Sequence, residues 1–343
     1  LVYNGLPYLK YAIESTLKQT FTDFEYLIID DASPDQDIKK FVESYNDPRI
    51  RFVRNEKNLG VSRTFNKALT IIDNPYIIRI DQDDVNLPNR VEEQLSYLEE
   101  NKEISIVCSW EHTINSKGKI TREWKKKINN YGEFIGPVLM GLCPIWHPSI
   151  AFRKDDMIKA GGFNPEYTRA EDFEVTARIA LKRYNAYILP EFHLLQRQHE
   201  NSQSSEFNEA QTDVARRIHK EVISSFSTHP NIVMLGDFLR LEMKANNHKL
   251  TKENLIQIDE AMHDFISNVS NKQKLTKVEL KSLKKVVYRR IGFGIKYASV
   301  LARLPSFLFY TAYYVLSPLQ ILNIRLVLSK IYRRLIRILY IIK

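Results

Sequence analysis

The sequence predicts an α/β fold in which a mostly parallel sheet is covered by helices on both faces. Over the first two-thirds of the chain, short apolar segments alternate with segments that carry apolar residues at helical spacing. The links between these segments are short, as they are in strand–helix–strand units. Clusters of aspartates follow two of the predicted strands, where sheets of this kind place their ligands.

Each element is predicted from its own local pattern. The helices carry apolar residues on one face, and two of them begin near a proline, which suits the first helical turn; they cover 7–19, 38–45, 61–72, 89–100 and 171–183. The strands are short apolar runs, at 24–30, 50–55, 76–80, 104–110 and 148–153. Residues 186–205 are extended and end in a polar stretch. Beyond about Phe207 the pattern is helical, for example at 254–269.

Composition indicates a globular protein with a substantial core. The 343 residues are 44% hydrophobic and 11% aromatic, which excludes a disordered chain and allows one large domain or two moderate ones. Cys108 and Cys143 are the two cysteines, and their spacing fits neither a zinc site nor a disulfide framework, which favours a reducing compartment. We expect no signal peptide at Leu1, and we expect residues before it to complete a first strand.

The positive charge is concentrated at the C-terminus. The net charge is +9, and residues 281–343 contain thirteen Lys and Arg and no Asp or Glu, so the preceding part is slightly acidic. Residues 304–324 are uncharged and approach the length of a bilayer span, although two prolines and several polar residues weaken that interpretation. Residues 324–343 form an amphipathic basic pattern typical of helices on anionic membranes. A helix that closes a core or binds a partner is the alternative.

The segment "YIIRIDQDDVNLPNR" (76–90) carries the strongest chemical signal. Asp81, Asp83 and Asp84 lie within four residues at the end of a predicted strand, where their like charges repel one another. A divalent cation shared with a diphosphate, Mg²⁺ or Mn²⁺, would remove this repulsion. A solvated turn or a helix cap near Pro88 is the alternative, since a D-x-D pattern by itself is common.

Five segments in one order along the chain carry a resemblance to a known family. They are "VYNG" (2–5), "YLIIDDASPD" (26–35), "NEKNLGVSRTFNKAL" (55–69), "RIDQDDVNLPNR" (79–90) and "HPSIAFRKDDMIKAGGFNPEYTRAEDFEVTARI" (147–179). Through them the sequence resembles the family 2 glycosyltransferases, from Leu1 to about Ser205. The resemblance implies a GT-A fold, a nucleotide-sugar donor and inversion at the anomeric carbon.

The resemblance also implies which residues bind the nucleotide. Tyr3 would stack on the base, Asp31 would accept a hydrogen bond from the base, and Asp30 would lie beside Asp31. Arg63, at the start of a predicted helix, would reach the nucleotide with its cation. The alternatives are a turn that satisfies its own backbone for the aspartates and a solvated helix arginine for Arg63.

For the metal, the resemblance implies a ligand set at the end of the third predicted strand. Asp81 and Asp83 would bind the ribose and the ion. Asp83 would be the more direct ligand of the ion, and Asp84 would support it. His199 follows the last predicted strand, where some relatives place a group on the metal or the diphosphate. A structural histidine is the alternative for His199.

On the acceptor side, the resemblance implies that Asp172 is the general base. A sugar hydroxyl is a poor nucleophile unless a carboxylate takes its proton as it attacks. Glu171 would shape the pocket or share the contact with the acceptor. The alternative for both is an acidic pair that suits a helix N-terminus. His147 would line the acceptor cleft or serve as a structural histidine.

We therefore predict an inverting glycosyltransferase with a GT-A domain at 1–205, a helical extension at 206–280 and basic amphipathic helices at 281–343. It would transfer one sugar, most plausibly from a UDP-sugar, to a glycan or lipid-linked glycan at the cytoplasmic face of a bacterial membrane. Synthesis of capsule, O-antigen or exopolysaccharide is the expected setting. The alternatives are a nucleotidyltransferase, which would need a Gly-rich phosphate loop, and a non-catalytic basic membrane-binding protein. A nucleic-acid partner is not expected, because the main body is acidic.

Overall fold

Strands and helices alternate through the first part of the chain, as the apolar patterns predict. The computed structural model describes residues 1–200, 209–240 and 252–291. The strands are β1 (Tyr26–Asp30), β2 (Ile50–Arg54), β3 (Tyr76–Ile78), β4 (Val85–Asn86), β5 (Ile104–Ile114), β6 (Ile120–Trp124), β7 (Ala151–Arg153) and β8 (Asn185–Arg197). The helices are α1 (Leu6–Leu17), α2 (Asp37–Glu43), α3 (Val61–Ile71), α4 (Arg90–Glu100), α5 (Tyr131–Leu139), α6 (Lys154–Ala160), α7 (Glu171–Leu181), α8 (Glu209–Ser224), α9 (Ile232–Leu239), α10 (Lys252–Lys272) and α11 (Lys277–Ile291).

The β-structure is mixed, which corrects the prediction of a mostly parallel sheet while the α/β class is confirmed. β1 and β2 form a parallel pair, with Asp30 opposite Arg54 at their ends. The other six strands form a second sheet in which β5 and β8 are parallel and the remaining pairs are antiparallel. The alternating pattern stops after β5, because β6 follows it through a short turn at 115–119, and a short turn joins antiparallel strands.

An apolar cavity of about 340 Å³ lies between the two sheets. Ile28 of β1 and Ile77 of β3 border it, together with Phe65 of α3 and Phe152 of β7. In the part of the chain that the structure describes, no strand ladder joins β1 to β3. Contacts between the ends of these two strands are therefore made by side chains and loops.

A large apolar core joins the six-stranded sheet to the C-terminal helices. Phe134 of α5, Ile223 of α8 and Leu283 of α11 are all buried members of it. A Cβ at Gly132 would meet the main chain of Glu279, at 2.8 Å from its carbonyl carbon, so this glycine permits the close approach of α5 and α11. The helical extension thus packs directly on the domain that carries the aspartate clusters.

The predicted basic C-terminal helices lie mostly outside the described residues. Residues 281–291 belong to α11, whereas both the uncharged stretch at 304–324 and the amphipathic stretch at 324–343 fall in the part that is not described. Among the helices that are described, none combines the length and the apolar character required to cross a bilayer.

Candidate functional site

Asp30, the last residue of β1, is fully buried and its carboxylate is satisfied by the protein itself. Ser33 donates its main-chain N–H (3.0 Å) and its hydroxyl (2.6 Å) to Oδ1, and Arg54 donates to Oδ2. Because Arg54 ends β2, this ion pair fastens the ends of the two paired strands together. Asp30 therefore supports the turn that carries Asp31.

Asp31 holds the loop that leads into α3. Its Oδ1 accepts hydrogen bonds from Asn55 Nδ2 (2.7 Å) and the Leu59 N–H (2.9 Å), and its Oδ2 accepts one from the Gly60 N–H (2.8 Å). Gly60 has φ 78°, a left-handed conformation in which glycine is strongly favoured. A hydrogen bond from a nucleotide base would add to these contacts.

Tyr3 and Arg63 are the two predicted nucleotide-binding residues that are exposed to solvent. Tyr3 is 45% exposed, and it lies one residue after Val2, which pairs with Asp30 of β1. Arg63 lies in the first turn of α3, close in sequence to Gly60. Both side chains are therefore available to a ligand at this edge of the molecule.

Asp81, the first carboxylate of the D-x-D segment, is paired with a cation that sequence analysis did not select. Arg79 Nη2 donates to Asp81 Oδ1 at 2.6 Å, and the Arg79 guanidinium lies 5.1 Å from the centre of the Phe65 ring. The Asp81 side chain remains 30% exposed. Its carboxylate is held in place and is still accessible.

Asp83 and His199 lie together, as the predicted metal ligands require. His199 Nε2 is 3.0 Å from Asp83 Oδ2, and both side chains are mostly buried. The His199 ring also packs against Tyr8, with ring centres 4.7 Å apart and the ring planes tilted by 30°. Burial and the neighbouring charge of Asp81 raise the pKa of Asp83, while the hydrogen bond with His199 opposes that rise.

Asp84 is buried, and its role in the fold is visible in its contacts. Oδ1 accepts a hydrogen bond from the Arg197 N–H at 2.9 Å, while Oδ2 has no hydrogen-bond partner among the described residues. Arg197 also donates through Nε to the Asp83 carbonyl at 3.0 Å. Burial raises the pKa of Asp84 well above its usual range, and the charges of Asp81 and Asp83 raise it further. Asp84 thus ties the segment to the end of β8.

These residues fit a hard divalent cation that shares its ligands with a diphosphate. Asp83 and His199 offer a carboxylate oxygen and an imidazole nitrogen, which suit Mn²⁺, and carboxylate oxygen also suits Mg²⁺. Burial is the larger cause of the raised pKa of Asp83 and the charge of Asp81 adds to it; a bound cation would offset both. As they stand, Asp81, Asp83, Asp84 and His199 do not bring three ligand atoms within 4.8 Å of one another. Phosphate and water oxygens would have to supply the remaining ligands.

Glu171 and Asp172 begin α7, directly after a strained residue. Ala170 has φ 53°, a left-handed conformation that is unfavourable for a side chain with a Cβ. Asp172 Oδ1 accepts a hydrogen bond from the Phe173 N–H at 2.7 Å, which fixes the carboxylate against the helix start. The Asp172 side chain is only partly buried, so the group can face a substrate.

The end of β3 and the start of α7 are linked through residues 147–150. The Arg79 N–H donates to the Ile150 carbonyl at 3.0 Å, and His147 Nε2 lies 3.0 Å from Thr176 Oγ1 of α7. Burial raises the pKa of Glu171, the charges of Asp172 and Asp81 raise it further, and Arg79 opposes them. The charges at the end of β3 are thus close enough to influence the carboxylates at the start of α7.

His147 takes the structural role that sequence analysis left open. It is buried, and its Nε2 lies 3.0 Å from Thr176 Oγ1, which in turn donates to the Asp172 carbonyl. Burial lowers the pKa of His147 to about 4, so the ring is neutral at physiological pH. The ring therefore supports the first turn of α7 beneath Asp172.

Sequence analysis missed the basic partners of two predicted carboxylates, Arg54 for Asp30 and Arg79 for Asp81, and it missed the main-chain contact of Arg197 with Asp84. Arg79 could have been found, because residues two apart in an extended segment lie on the same side and Asp81 follows at that spacing. Arg54 and Arg197 could not, because their contacts depend on how strands distant in sequence are placed.

A histidine and two glutamates form a separate group that the sequence did not indicate. Potential ligand atoms of Glu93, Glu191 and His193 lie within 4.8 Å of one another. His193 Nε2 is 2.9 Å from Glu93 Oε2, and burial lowers the pKa of His193 to about 4. A neutral imidazole that donates to a carboxylate accounts for this contact.

Two buried polar residues lie next to the aspartate segment. Glu111 of β5 is fully buried, and within the described residues neither carboxylate oxygen has a hydrogen-bond partner. Arg90 of α4 is also fully buried and donates to neutral acceptors, including Asn86 Oδ1 and the Arg79 carbonyl, each at 2.6 Å. Burial raises the pKa of Glu111 to about 8, although Arg90 opposes this, so the carboxyl group is largely protonated at neutral pH.

Glu111→Gln is expected to make the free energy of unfolding less dependent on pH. Between pH 4.5 and about pH 8 the folded wild type holds a proton at Glu111 that the unfolded chain has lost, so its stability falls as the pH rises. This loss amounts to about 3–4 kcal/mol between about pH 5 and pH 9. Urea unfolding of both proteins at these two pH values measures the difference. If the free energy of unfolding changed equally with pH in the two proteins, the pKa of Glu111 would not be raised.

Comparisons with known proteins identify relatives of this chain. Residues 1–161 match the family model for Glycosyl transferase family 2. An uncharacterized glycosyltransferase of Methanocaldococcus jannaschii is 32% identical over 187 residues, which cover 54% of this chain and 64% of the relative. The O-antigen biosynthesis glycosyltransferase WbnJ of Escherichia coli is 32% identical over 179 residues, covering 50% of this chain and 66% of the relative. The chain thus spans slightly less than two-thirds of the length of these two relatives.

The fold is also shared with a solved structure. The crystal structure of S. aureus TarS 1-349 in complex with UDP-GlcNAc superposes with a TM-score of 0.53 and 18% sequence identity. The superposition covers 84% of this chain and 90% of that chain. A likeness at this level of identity shows a common fold, which agrees with the GT-A architecture.

Proposed function

We propose that this chain is a family 2 glycosyltransferase, which the match of residues 1–161 to that family model supports, and that it transfers one sugar from a UDP-sugar to a hydroxyl of a glycan, with inversion at the anomeric carbon. The observation that carries the proposal is that residues 147–150 link two carboxylate groups: the Arg79 N–H donates to the Ile150 carbonyl at 3.0 Å, and His147 Nε2 lies 3.0 Å from Thr176 Oγ1 of α7. One group follows β3, where the donor would bind, and the other begins α7, where the acceptor would bind. A transfer reaction needs both within reach of one anomeric carbon.

On the donor side, we assign the nucleotide to the edge where β1 and β2 end. Tyr3 offers an exposed ring for the base, Asp31 offers a carboxylate, and Asp81 remains accessible for the ribose. Arg63 adds a cation near the start of α3, where helix N–H groups also favour a phosphate. The S. aureus protein of the same fold was crystallised with UDP-GlcNAc, which supports a UDP-sugar as the donor.

Asp83 and His199 would hold a Mg²⁺ or Mn²⁺ ion, and Asp84 would support them through its bond to the Arg197 N–H. When bound, the ion neutralises the charge that grows on the departing nucleoside diphosphate. Burial, and after it the charge of Asp81, raises the pKa of Asp83, and a cation at this place would favour its ionised form.

Asp172 would act as the general base. As the acceptor oxygen attacks the anomeric carbon, its proton passes to the Asp172 carboxylate and the bond from that carbon to the UDP oxygen breaks. Attack from the face opposite UDP inverts the configuration. Glu171 would share the contact with the acceptor, and the buried, neutral His147 would keep the helix start in position.

The proposed biological setting is the synthesis of a bacterial surface polysaccharide. The E. coli relative acts in O-antigen biosynthesis, which supports a role in bacterial surface polysaccharide synthesis, including capsule or exopolysaccharide. A lipid-linked acceptor and attachment to the cytoplasmic face of the membrane would follow from the basic residues at 281–343.

The proposal is tested by calorimetry with UDP and by assays of donor hydrolysis. We expect Mn²⁺ or Mg²⁺ to strengthen the binding of UDP to the purified protein, and we expect one nucleotide sugar of a panel to be hydrolysed faster than the others with Mn²⁺ present. If neither ion strengthens UDP binding and no nucleotide sugar is hydrolysed, the proposed function is wrong.

A further inference from the structure

Gln82 stands between Asp81 and Asp83 and makes a double contact with Tyr3. Its Oε1 accepts the main-chain N–H of Tyr3 at 2.8 Å, and its Nε2 donates to the Tyr3 carbonyl at 3.1 Å. A side-chain amide here pairs with both main-chain groups of one residue, as a neighbouring strand would. Since no ladder in the described residues joins β1 to β3, this pair bridges the two sheets at the site.

Gly5 makes room for this contact. A Cβ at Gly5 would meet Gln82 Oε1 and would lie 2.7 Å from its Cδ. Gly5 has φ −92°, which any residue adopts, so the glycine is required by space and not by its conformation. The main chain at the start of α1 thus packs directly against the Gln82 amide.

The other side of the same loop is fastened to the turn after β1. The Asn4 N–H donates to Ser33 Oγ at 3.0 Å, and the Ser33 hydroxyl donates to Asp30 at 2.6 Å. Val2 is bonded to both Ile29 and Asp31 through its main chain at 2.8 Å. The backbone of the loop is therefore held from two sides while the Tyr3 side chain remains exposed.

We propose that Gln82 is a positioning residue that couples the metal site to the nucleobase site, an inference that rests on the proposed function. Binding of an ion at Asp83 would fix the position of the segment that carries Gln82. Through its two hydrogen bonds to the Tyr3 main chain, Gln82 would then fix the Tyr3 backbone and so orient the Tyr3 ring. By linkage, a base stacked on Tyr3 favours the arrangement of Asp83 that binds the ion. Metal and base therefore bind cooperatively through one side chain.

The test compares UDP with inorganic pyrophosphate, which has the phosphates and lacks the base. Calorimetry gives the factor by which Mn²⁺ strengthens the binding of each ligand to the 343-residue chain. In the wild type we expect this factor to be about tenfold larger for UDP than for pyrophosphate, within the usual range of coupling between sites. In Gln82→Ala we expect the two factors to be equal.

Matched variants separate coupling from general damage. Gly5→Ala, which pushes against the Gln82 amide, should reduce the UDP factor in the same way, whereas Gln36→Ala, at an exposed glutamine before α2, should leave it unchanged. A thermal unfolding midpoint close to that of the wild type shows that each variant is folded.

Two outcomes overturn the inference for different reasons. If Gln82→Ala weakens UDP binding equally with and without Mn²⁺, the larger factor for UDP persists, Gln82 has only a structural role and the coupling is wrong. If neither Mn²⁺ nor Mg²⁺ strengthens UDP binding to the wild type, this inference is wrong; if, in addition, no nucleotide sugar is hydrolysed, the proposed function is wrong as well.

Discussion

Asp172→Asn is expected to lower the rate of sugar transfer about 1,000-fold, which is the usual contribution of a general base. The amide cannot take the proton of the acceptor hydroxyl. It retains the oxygen that accepts the Phe173 N–H at 2.7 Å, so the start of α7 should stay intact. UDP binding should remain within about twofold of the wild type, because the donor side is unchanged. Single-turnover transfer assays and UDP calorimetry measure the two quantities.

Glu171→Gln is the matched control, because it removes the neighbouring carboxylate from the same helix turn. Its expected effect is on acceptor affinity, with a much smaller loss of rate at saturating acceptor. If Asp172→Asn transferred sugar at a near-normal rate and Glu171→Gln did not, the base would be Glu171 and the present assignment would be wrong.

Asp83→Ala is expected to abolish the strengthening of UDP binding by Mn²⁺ and to lower transfer at least about 100-fold. Loss of a residue that supports a metal ligand costs 10–100-fold in many sites, and loss of a direct ligand costs at least as much. The substitution also removes the partner of His199 Nε2, which lies 3.0 Å away. Calorimetry with UDP, with and without Mn²⁺, measures the effect.

The control for charge is Asp35→Ala, since Asp35 is exposed on the turn after β1. Removing that carboxylate takes away one negative charge and should leave the Mn²⁺ effect intact. Retention of the full Mn²⁺ effect in Asp83→Ala would show that the ion, if it binds, is held elsewhere.

The fold class was predictable because local patterns repeat through the first part of the chain. Periods of two and of 3.6 residues mark the strands and helices up to β5, and the α/β class is confirmed. The match of residues 1–161 to the family model agrees with the resemblance. Helix α5 was missed because Pro137 and two glycines interrupt its pattern. Asn130 and Glu133 carry its signal, since the Asn130 side chain accepts the Glu133 N–H in the manner of a capping box.

The strand pairing was less predictable than the strands themselves. Alternation of strands and helices indicated a parallel order, but the turn at 115–119 reverses the chain after β5. Pairing between β5 and β7 or between β4 and β8 joins residues far apart in sequence. Such pairings depend on how complete faces of the sheet pack against other elements. Local propensity carries no information about that packing.

Within the site, the acidic residues could be selected from the sequence, whereas their partners could not. Asp83 and His199 are separated by more than a hundred residues, and their contact was expected only from the resemblance to a family. The pairing of Asp30 with Arg54 depends on the register of β1 against β2. The amide of Gln82 gave no signal by itself, because its function lies in its contact with the Tyr3 backbone.

The sequence by itself determined that two strands are followed by carboxylates and that residues 281–343 are basic. Charge and the spacing of apolar residues can both be read from neighbouring positions. Only the tertiary structure decided which carboxylates are buried, which are paired with arginine and which stay open to a ligand. Burial and pairing change the free energy of a charge by amounts that depend on residues brought together from distant parts of the chain. That is why Asp30 and Asp31, adjacent in sequence, have different partners and stabilise different loops.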